Sequence, residues 1–89
     1  MRKRQLALRF DRRVPKQLAR LPRRDAERVL NAIEGLQTWP PDAADIRALS
    51  GEFKGLYRLR VGEWRVQFDV DLEADMLHVL SVTPRQRAY

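Results

Sequence analysis

Cysteine is absent from this 89-residue chain, and histidine occurs once, at position 78. The first absence excludes a disulfide scaffold, a thiolate metal site and a cysteine nucleophile, so the core must hold by packing alone. With a single histidine there is no credible zinc ligand set and little room for a Ser/His/Asp constellation. Long apolar runs are missing as well. The opening MRKRQLALRF is basic, but its apolar stretch is short and interrupted by Arg9, which suits neither a secretory signal nor a membrane span. Repeats and low-complexity tracts are also absent. The expected location is the cytoplasm, and the expected organisation is one domain over residues 1–89, long enough for a modest core and too short for two.

Positive charge is what the chain has in excess: 18 Lys and Arg against 12 Asp and Glu give a formal net charge of +6. Of the 18, only Arg47 falls between Gln37 and Gly51, and 11 lie from Arg2 to Arg28. The charge therefore belongs to folded elements, in an N-terminal zone and a C-terminal zone. Such a balance predicts a polyanionic partner, nucleic acid first and an acidic protein segment second. An anionic membrane is a weaker third, because no helix carries an aromatic-rich insertion face.

Leu6, Leu8 and Phe10 alternate with Gln5, Ala7 and Arg9, which predicts a strand from Gln5 to Phe10. Pro15 suits a first helical turn, and Leu18 and Leu21 supply an apolar stripe for a helix of about two turns. Pro22 then opens a second helix, on which Ala26, Val29, Leu30, Ile33 and Leu36 follow three-four spacing. The stretch from Trp39 to Gly51, with Pro40-Pro41 and a Ser-Gly pair, predicts a connecting loop, with room for a helical turn at Ala43–Ile46. The last strand runs from Met76 to Val82 with apolar residues on both faces, as in a central strand covered on both sides. His78, in that strand, is expected in a core or at an interface. The order β-α-α-β-β-β predicts an α+β fold, a helical hairpin packed on a mostly antiparallel four-stranded sheet.

The stretch from Gly55 to Phe68 is the most informative. Gly62-Glu63 forms a glycine-first pair between strand-like segments, the pattern of a two-residue hairpin turn. That turn sets Val61 opposite Trp64, Arg60 opposite Arg65, Leu59 opposite Val66, Arg58 opposite Gln67 and Tyr57 opposite Phe68. One face is then apolar, with Trp64 and Tyr57 as core anchors, and the other gathers Arg58, Arg60, Arg65 and Gln67. Like charges directly opposite are destabilising, and a bound phosphate or carboxylate would offset that cost. Taken alone, the pattern equally describes a solvated basic face. Trp39 is left open, as a cap on the helix pair or the lining of a groove.

Leu49-Ser50-Gly51, then Gly55-Leu56-Tyr57-Arg58-Leu59-Arg60-Val61-Gly62-Glu63-Trp64-Arg65, then Arg85 to Tyr89, together resemble the RelE/ParE superfamily of toxins from toxin–antitoxin pairs, over nearly the whole chain. The resemblance to the RelE-like branch implies a ribosome-dependent endonuclease that cuts messenger RNA without a metal or other cofactor and is silenced by a cognate acidic antitoxin. In that chemistry a 2'-OH attacks the adjacent phosphate, leaving a 2',3'-cyclic phosphate and a 5'-OH. It calls for a proton acceptor, positive charge on the phosphorane oxygens and an acid for the leaving oxygen.

Carried onto this sequence, the resemblance implies Arg65 as the clamp on the scissile phosphate, Arg85 as a stabiliser of transition-state charge, and Tyr89 stacking on a base or bonding near the attacking hydroxyl. Arg58, Arg60, Arg87 and Lys54 are the implied RNA-binding residues. Some RelE-like toxins carry lysines where this chain has Arg58 and Arg60, and arginine stays protonated, so the base is unassigned between Tyr89 and the ribosomal RNA. Two alternatives stand beside the nuclease: a ParE-like poison of DNA gyrase without nuclease activity, and a non-catalytic basic module that binds RNA or the antitoxin.

Overall fold

The computed structural model describes residues 2–53 and 55–85. Two short strands come first, β1 (Arg4–Gln5) and β2 (Ala7–Phe10), then α1 (Val14–Ala19) and α2 (Arg23–Gly35). Short strands β3 (Thr38–Trp39) and β4 (Ile46–Ala48) follow, and a 3-10 turn over Gly51–Phe53 leads to β5 (Tyr57–Val61), β6 (Trp64–Asp71) and β7 (Met76–Pro84). The main sheet has five strands in the order β2-β7-β6-β5-β4, while β1 and β3 form a separate antiparallel pair. Within the main sheet β2 runs parallel to β7 and the other neighbours are antiparallel. The class is α+β, as the element order predicts, with one more strand in the main sheet than the expected four.

The extra strand comes from the segment read as a loop. Asp45 to Leu49 alternates too briefly to stand out after two prolines, yet Ile46–Ala48 pairs with Leu59–Tyr57 of β5. No helical turn forms at Ala43–Ile46. The expected first strand is also divided. Leu6 is buried, its N–H bonds to the Gln37 carbonyl at 2.7 Å and its own carbonyl accepts from the Gln37 side chain at 3.0 Å. The chain therefore changes partner at Leu6, from β3 before it to β7 after it.

The α-helical part of α1 stops at Ala19, and the turn tightens through Arg20 and Leu21, whose N–H groups bond to Gln17 and Leu18 at 3.2 and 3.1 Å. A residue before proline is steered away from the α region, and Pro22, with ψ 143, then starts α2. Val29, Ile33 and Leu36 are buried by the three-four stripe, and with Val14 and Leu21 they cover Leu59, Val66, Phe68, Leu77, Val79 and Val82 of the sheet. Burial of side chains this large is worth about 1.5–3 kcal/mol each. Trp39 is part of this assembly: its ring meets Tyr57 edge-on at 5.3 Å and Phe68 at 5.9 Å, while Tyr57 and Phe68 stack at 5.4 Å.

Strand β7 is central, between β2 and β6, and among the described residues the helices cover one of its faces, where cover on both sides was expected. A bulge accounts for the misleading pattern. Phe68 pairs with Val79 and Gln67 with Ser81, so Leu80 has no opposite on β6. The extra residue shifts the alternation, returning Val82 to the helix side and leaving His78, Leu80 and Thr83 half-buried.

Candidate nucleic-acid interface

The hairpin β5–β6 has the register Tyr57–Phe68, Arg58–Gln67, Leu59–Val66, Arg60–Arg65 and Val61–Trp64. Gly62 has φ 58, a conformation that opens a two-residue hairpin and that side chains disfavour. A Cβ there would also meet the Arg28 guanidinium of α2 at 3.5 Å. The tip is held on the helix side by Trp64, whose indole Nε1 donates to Asp25 Oδ2 at 3.1 Å. Asp25 lies in the first turn of α2, where the helix dipole favours a carboxylate. Leu59, Val66 and Phe68 are thereby fixed inward, and strand alternation turns Arg58, Arg60, Arg65 and Gln67 to the face away from the helices.

Two neighbouring strands extend that face. Arg47 of β4 stands directly opposite Arg58, a residue that sequence reasoning missed because its strand was hidden in the presumed loop. On the other side, Ser81 and Thr83 of β7 stand opposite Gln67 and Arg65, and the Ser81 hydroxyl donates to Gln67 Oε1 at 3.4 Å. Arg47 and Arg60 are exposed, while Arg58 and Arg65 are half-buried. Burial holds the Arg58 guanidinium below the usual arginine value, and the charges of Arg65, Arg47 and Arg60 push the same way, with Asp45 opposing them. Four arginines from three strands thus share one electrostatic field.

Arg85 is exposed, and its N–H bonds to the Glu63 carbonyl at 2.7 Å. It therefore sits at the hairpin turn, at the same end of the sheet as Arg60 and Arg65. Lys54, Arg87 and Tyr89 lie outside the described residues. His78 occupies the far end of the arginine face, opposite Asp69 on one side and Arg9 on the other. The N-terminal basic zone is partly neutralised by its own carboxylates: Lys3 pairs with Asp42 at 2.7 Å, Arg4 with Asp75 at 2.6 Å and Arg13 with Asp11 at 3.0 Å. Among the described residues no His, Asp and Glu side chains group as a metal site, and no helix is long and apolar enough to cross a membrane.

Comparison with known proteins identifies the class to which this α+β fold, with arginines massed on one sheet face, belongs. The family described as ParE toxin of type II toxin-antitoxin system, parDE, matches residues 8–89. The chain belongs to that family, within the RelE/ParE superfamily that its motifs resemble. Among solved structures it is similar to a chain of the archaeal RelE–RelB complex from Pyrococcus horikoshii, at 30% identity and TM-score 0.78, over 93% of this chain and 98% of that one. It is also similar to a chain of the toxin–antitoxin complex RelBE2 from Mycobacterium tuberculosis, at 25% identity and TM-score 0.80, over 92% and 93%. The isolated RelE toxin of Escherichia coli shares the fold at 23% identity and TM-score 0.70, over 93% and 87%. Among curated protein sequences none matches.

Proposed function

We propose that this toxin is a ribosome-dependent, metal-free endoribonuclease that cuts messenger RNA and so inhibits translation. The observation that carries this reading is the joining of Arg47, Arg58, Arg60 and Arg65 on one sheet face, with Arg85 at the same end. Arg65 donates paired hydrogen bonds to the oxygens of the scissile phosphate, and Arg85 adds charge where the phosphorane develops it. Arg58, Arg60, Lys54 and Arg87 orient the RNA backbone. The 2'-oxygen forms its bond to phosphorus as the 5'-oxygen leaves and takes up a proton, giving cyclic-phosphate and 5'-OH ends. Arginine cannot serve as the base at neutral pH, so Tyr89 or a group of the ribosomal RNA accepts the 2'-proton.

The partners are the ribosome, messenger RNA and a cognate acidic antitoxin, the setting is the cytoplasm, and residues 1–89 act as one domain without a cofactor. The antitoxin finds support in the RelE–RelB and RelBE2 complexes to which the chain is similar. A second reading, poisoning of DNA gyrase, is favoured by the ParE description of the matching family. Expression without antitoxin, followed by primer extension on messenger RNA with and without translation, separates the two. Translation-dependent cuts with cyclic-phosphate ends are the expected result. Induction of DNA damage with intact messenger selects gyrase, and neither effect selects a non-catalytic RNA- or antitoxin-binding module.

A further inference from the structure

We infer that the arginine face holds two successive phosphodiesters of one single strand, Arg60 and Arg65 on the first and Arg47 and Arg58 on the second. This rests on the nucleic-acid reading above and adds to it the length of the ligand and a residue, Arg47, that the hairpin motif does not contain.

The register sets the geometry. Arg60 opposes Arg65 across β5 and β6, and Arg47 opposes Arg58 across β4 and β5. Each pair spans one strand spacing, about 4.7–4.9 Å, so two guanidiniums flank a single phosphate and share its non-bridging oxygens. The two pairs are offset by two residues along β5, about 6.5–7 Å at the usual rise per residue. That offset suits the repeat of a single sugar–phosphate chain with its bases unstacked. A duplex would have to bring a second, equally charged strand onto the same narrow face. The backbone path thus runs diagonally, from the hairpin tip towards the β4 edge.

Two features favour a built track over a diffuse positive field. Both pairs set like charges directly opposite, an arrangement that costs stability on a ladder, and it occurs on consecutive same-face rungs of β5. Arg47 is placed by an edge strand of three residues, itself anchored to the hairpin by the bond from the Arg60 N–H to the Asp45 carbonyl at 2.9 Å. The segment that closes the sheet therefore also delivers the fourth guanidinium.

The test uses oligonucleotides methylated at every 2'-oxygen, which cannot be cleaved, and without terminal phosphates: a dinucleotide with one phosphodiester and a trinucleotide with two. Binding to the full chain is measured across a salt series. The wild-type protein should bind the trinucleotide with a steeper log–log salt slope, by up to about 0.7, the long-strand increment for one further phosphate. Arg47→Ala should remove that increment and weaken trinucleotide binding roughly tenfold, the scale of one charge-assisted contact, with a clearly smaller effect on the dinucleotide. Arg47→Gln should behave like Arg47→Ala, and thermal unfolding of both verifies that the fold is intact. Equal wild-type slopes for the two ligands, or equal losses on both in the variants, overturn the two-phosphate track while leaving ribosome-dependent cleavage untouched. Failure of the wild-type protein to bind either oligonucleotide at low salt overturns the track, and the nucleic-acid reading falls with it only where translation-dependent cuts are also missing.

Discussion

The side-chain carbonyl of Gln17, on α1, accepts the backbone N–H of Val82, on β7, at 2.7 Å. Val82 lies beyond Val79, the last residue of β7 that β2 pairs with, and a buried N–H without a sheet partner needs another acceptor. Gln17 supplies it from the helix layer. Gln17→Leu should therefore lower stability by about 1–3 kcal/mol, the cost of an orphaned buried donor, while Gln17→Glu, which keeps an acceptor, should lose less. Urea unfolding followed by far-UV circular dichroism measures both. A Gln17→Leu midpoint equal to that of wild type would show that β7 tolerates an unpaired amide at Val82.

Arg58 carries a different cost. Burial and the charges of Arg65, Arg47 and Arg60 disfavour its charged form, with Asp45 opposing them, so the guanidinium charge is expected to work against folding when no anion is bound. Arg58→Gln should raise the melting temperature by a few degrees at low ionic strength, with a gain that shrinks as salt screens the remaining arginines. The same variant should bind polyanions less tightly, a trade of function for stability. Differential scanning calorimetry across a salt series gives the first result. A fall in melting temperature at low salt would mean that packing of the arginine stem outweighs the repulsion.

How much of this was legible in the sequence depends on how local the signal was. The hairpin register follows from one turn, because Gly62-Glu63 fixes which residues face each other and a two-residue period then assigns every side chain from Tyr57 to Phe68. Helix α2 was equally plain, since its stripe runs uninterrupted from Ala26 to Leu36. The misses all involve partners distant in sequence. Arg47 joins the face through a strand too short to show periodicity. The break at Leu6 is decided by Gln37, and the covered face of β7 is decided by a bulge that no local pattern announces. Trp39 was undecidable alone, and its place comes from Tyr57 and Phe68, residues it meets only after the sheet has formed.

Asp11 gives the fold a component sensitive to acid. Its Oδ1 accepts both the backbone N–H and the Nε of Arg13, each at 3.0 Å, at the entry to α1. The backbone hydrogen bond from Arg13 first, then its side-chain bond, holds the Asp11 carboxyl below the usual aspartate value. A carboxyl depressed in the folded state contributes stability that is fully present above its unfolded pKa and is lost as pH falls through the folded one. Wild type should thus exceed Asp11→Asn in stability near neutrality, with the difference closing as pH drops below about 4. Denaturation midpoints of both proteins measured from about pH 6 to about pH 2 test it. A difference that stays constant over that range would assign the role of Asp11 to neutral turn geometry alone.

Arg65 is the side chain on which the nuclease reading turns. It lies between Arg60 on β5 and Thr83 on β7, at the end of the sheet that Arg85 also reaches through Glu63. Loss of one donor to a developing oxyanion commonly costs on the order of 100- to 1,000-fold in rate. Arg65→Ala should accordingly abolish growth arrest and messenger cleavage. Its thermal unfolding and its capture by the antitoxin should change less than its activity, because Val66 and Leu59 hold the hairpin to the helices. Arg60→Lys should retain cleavage or improve it, since a lysine amine can titrate where a guanidinium cannot. Complete loss with Arg60→Lys would make paired guanidinium contacts, and not proton transfer, the requirement at that position. Full toxicity in both Arg65→Ala and Arg85→Ala would remove the scissile phosphate from this end of the sheet.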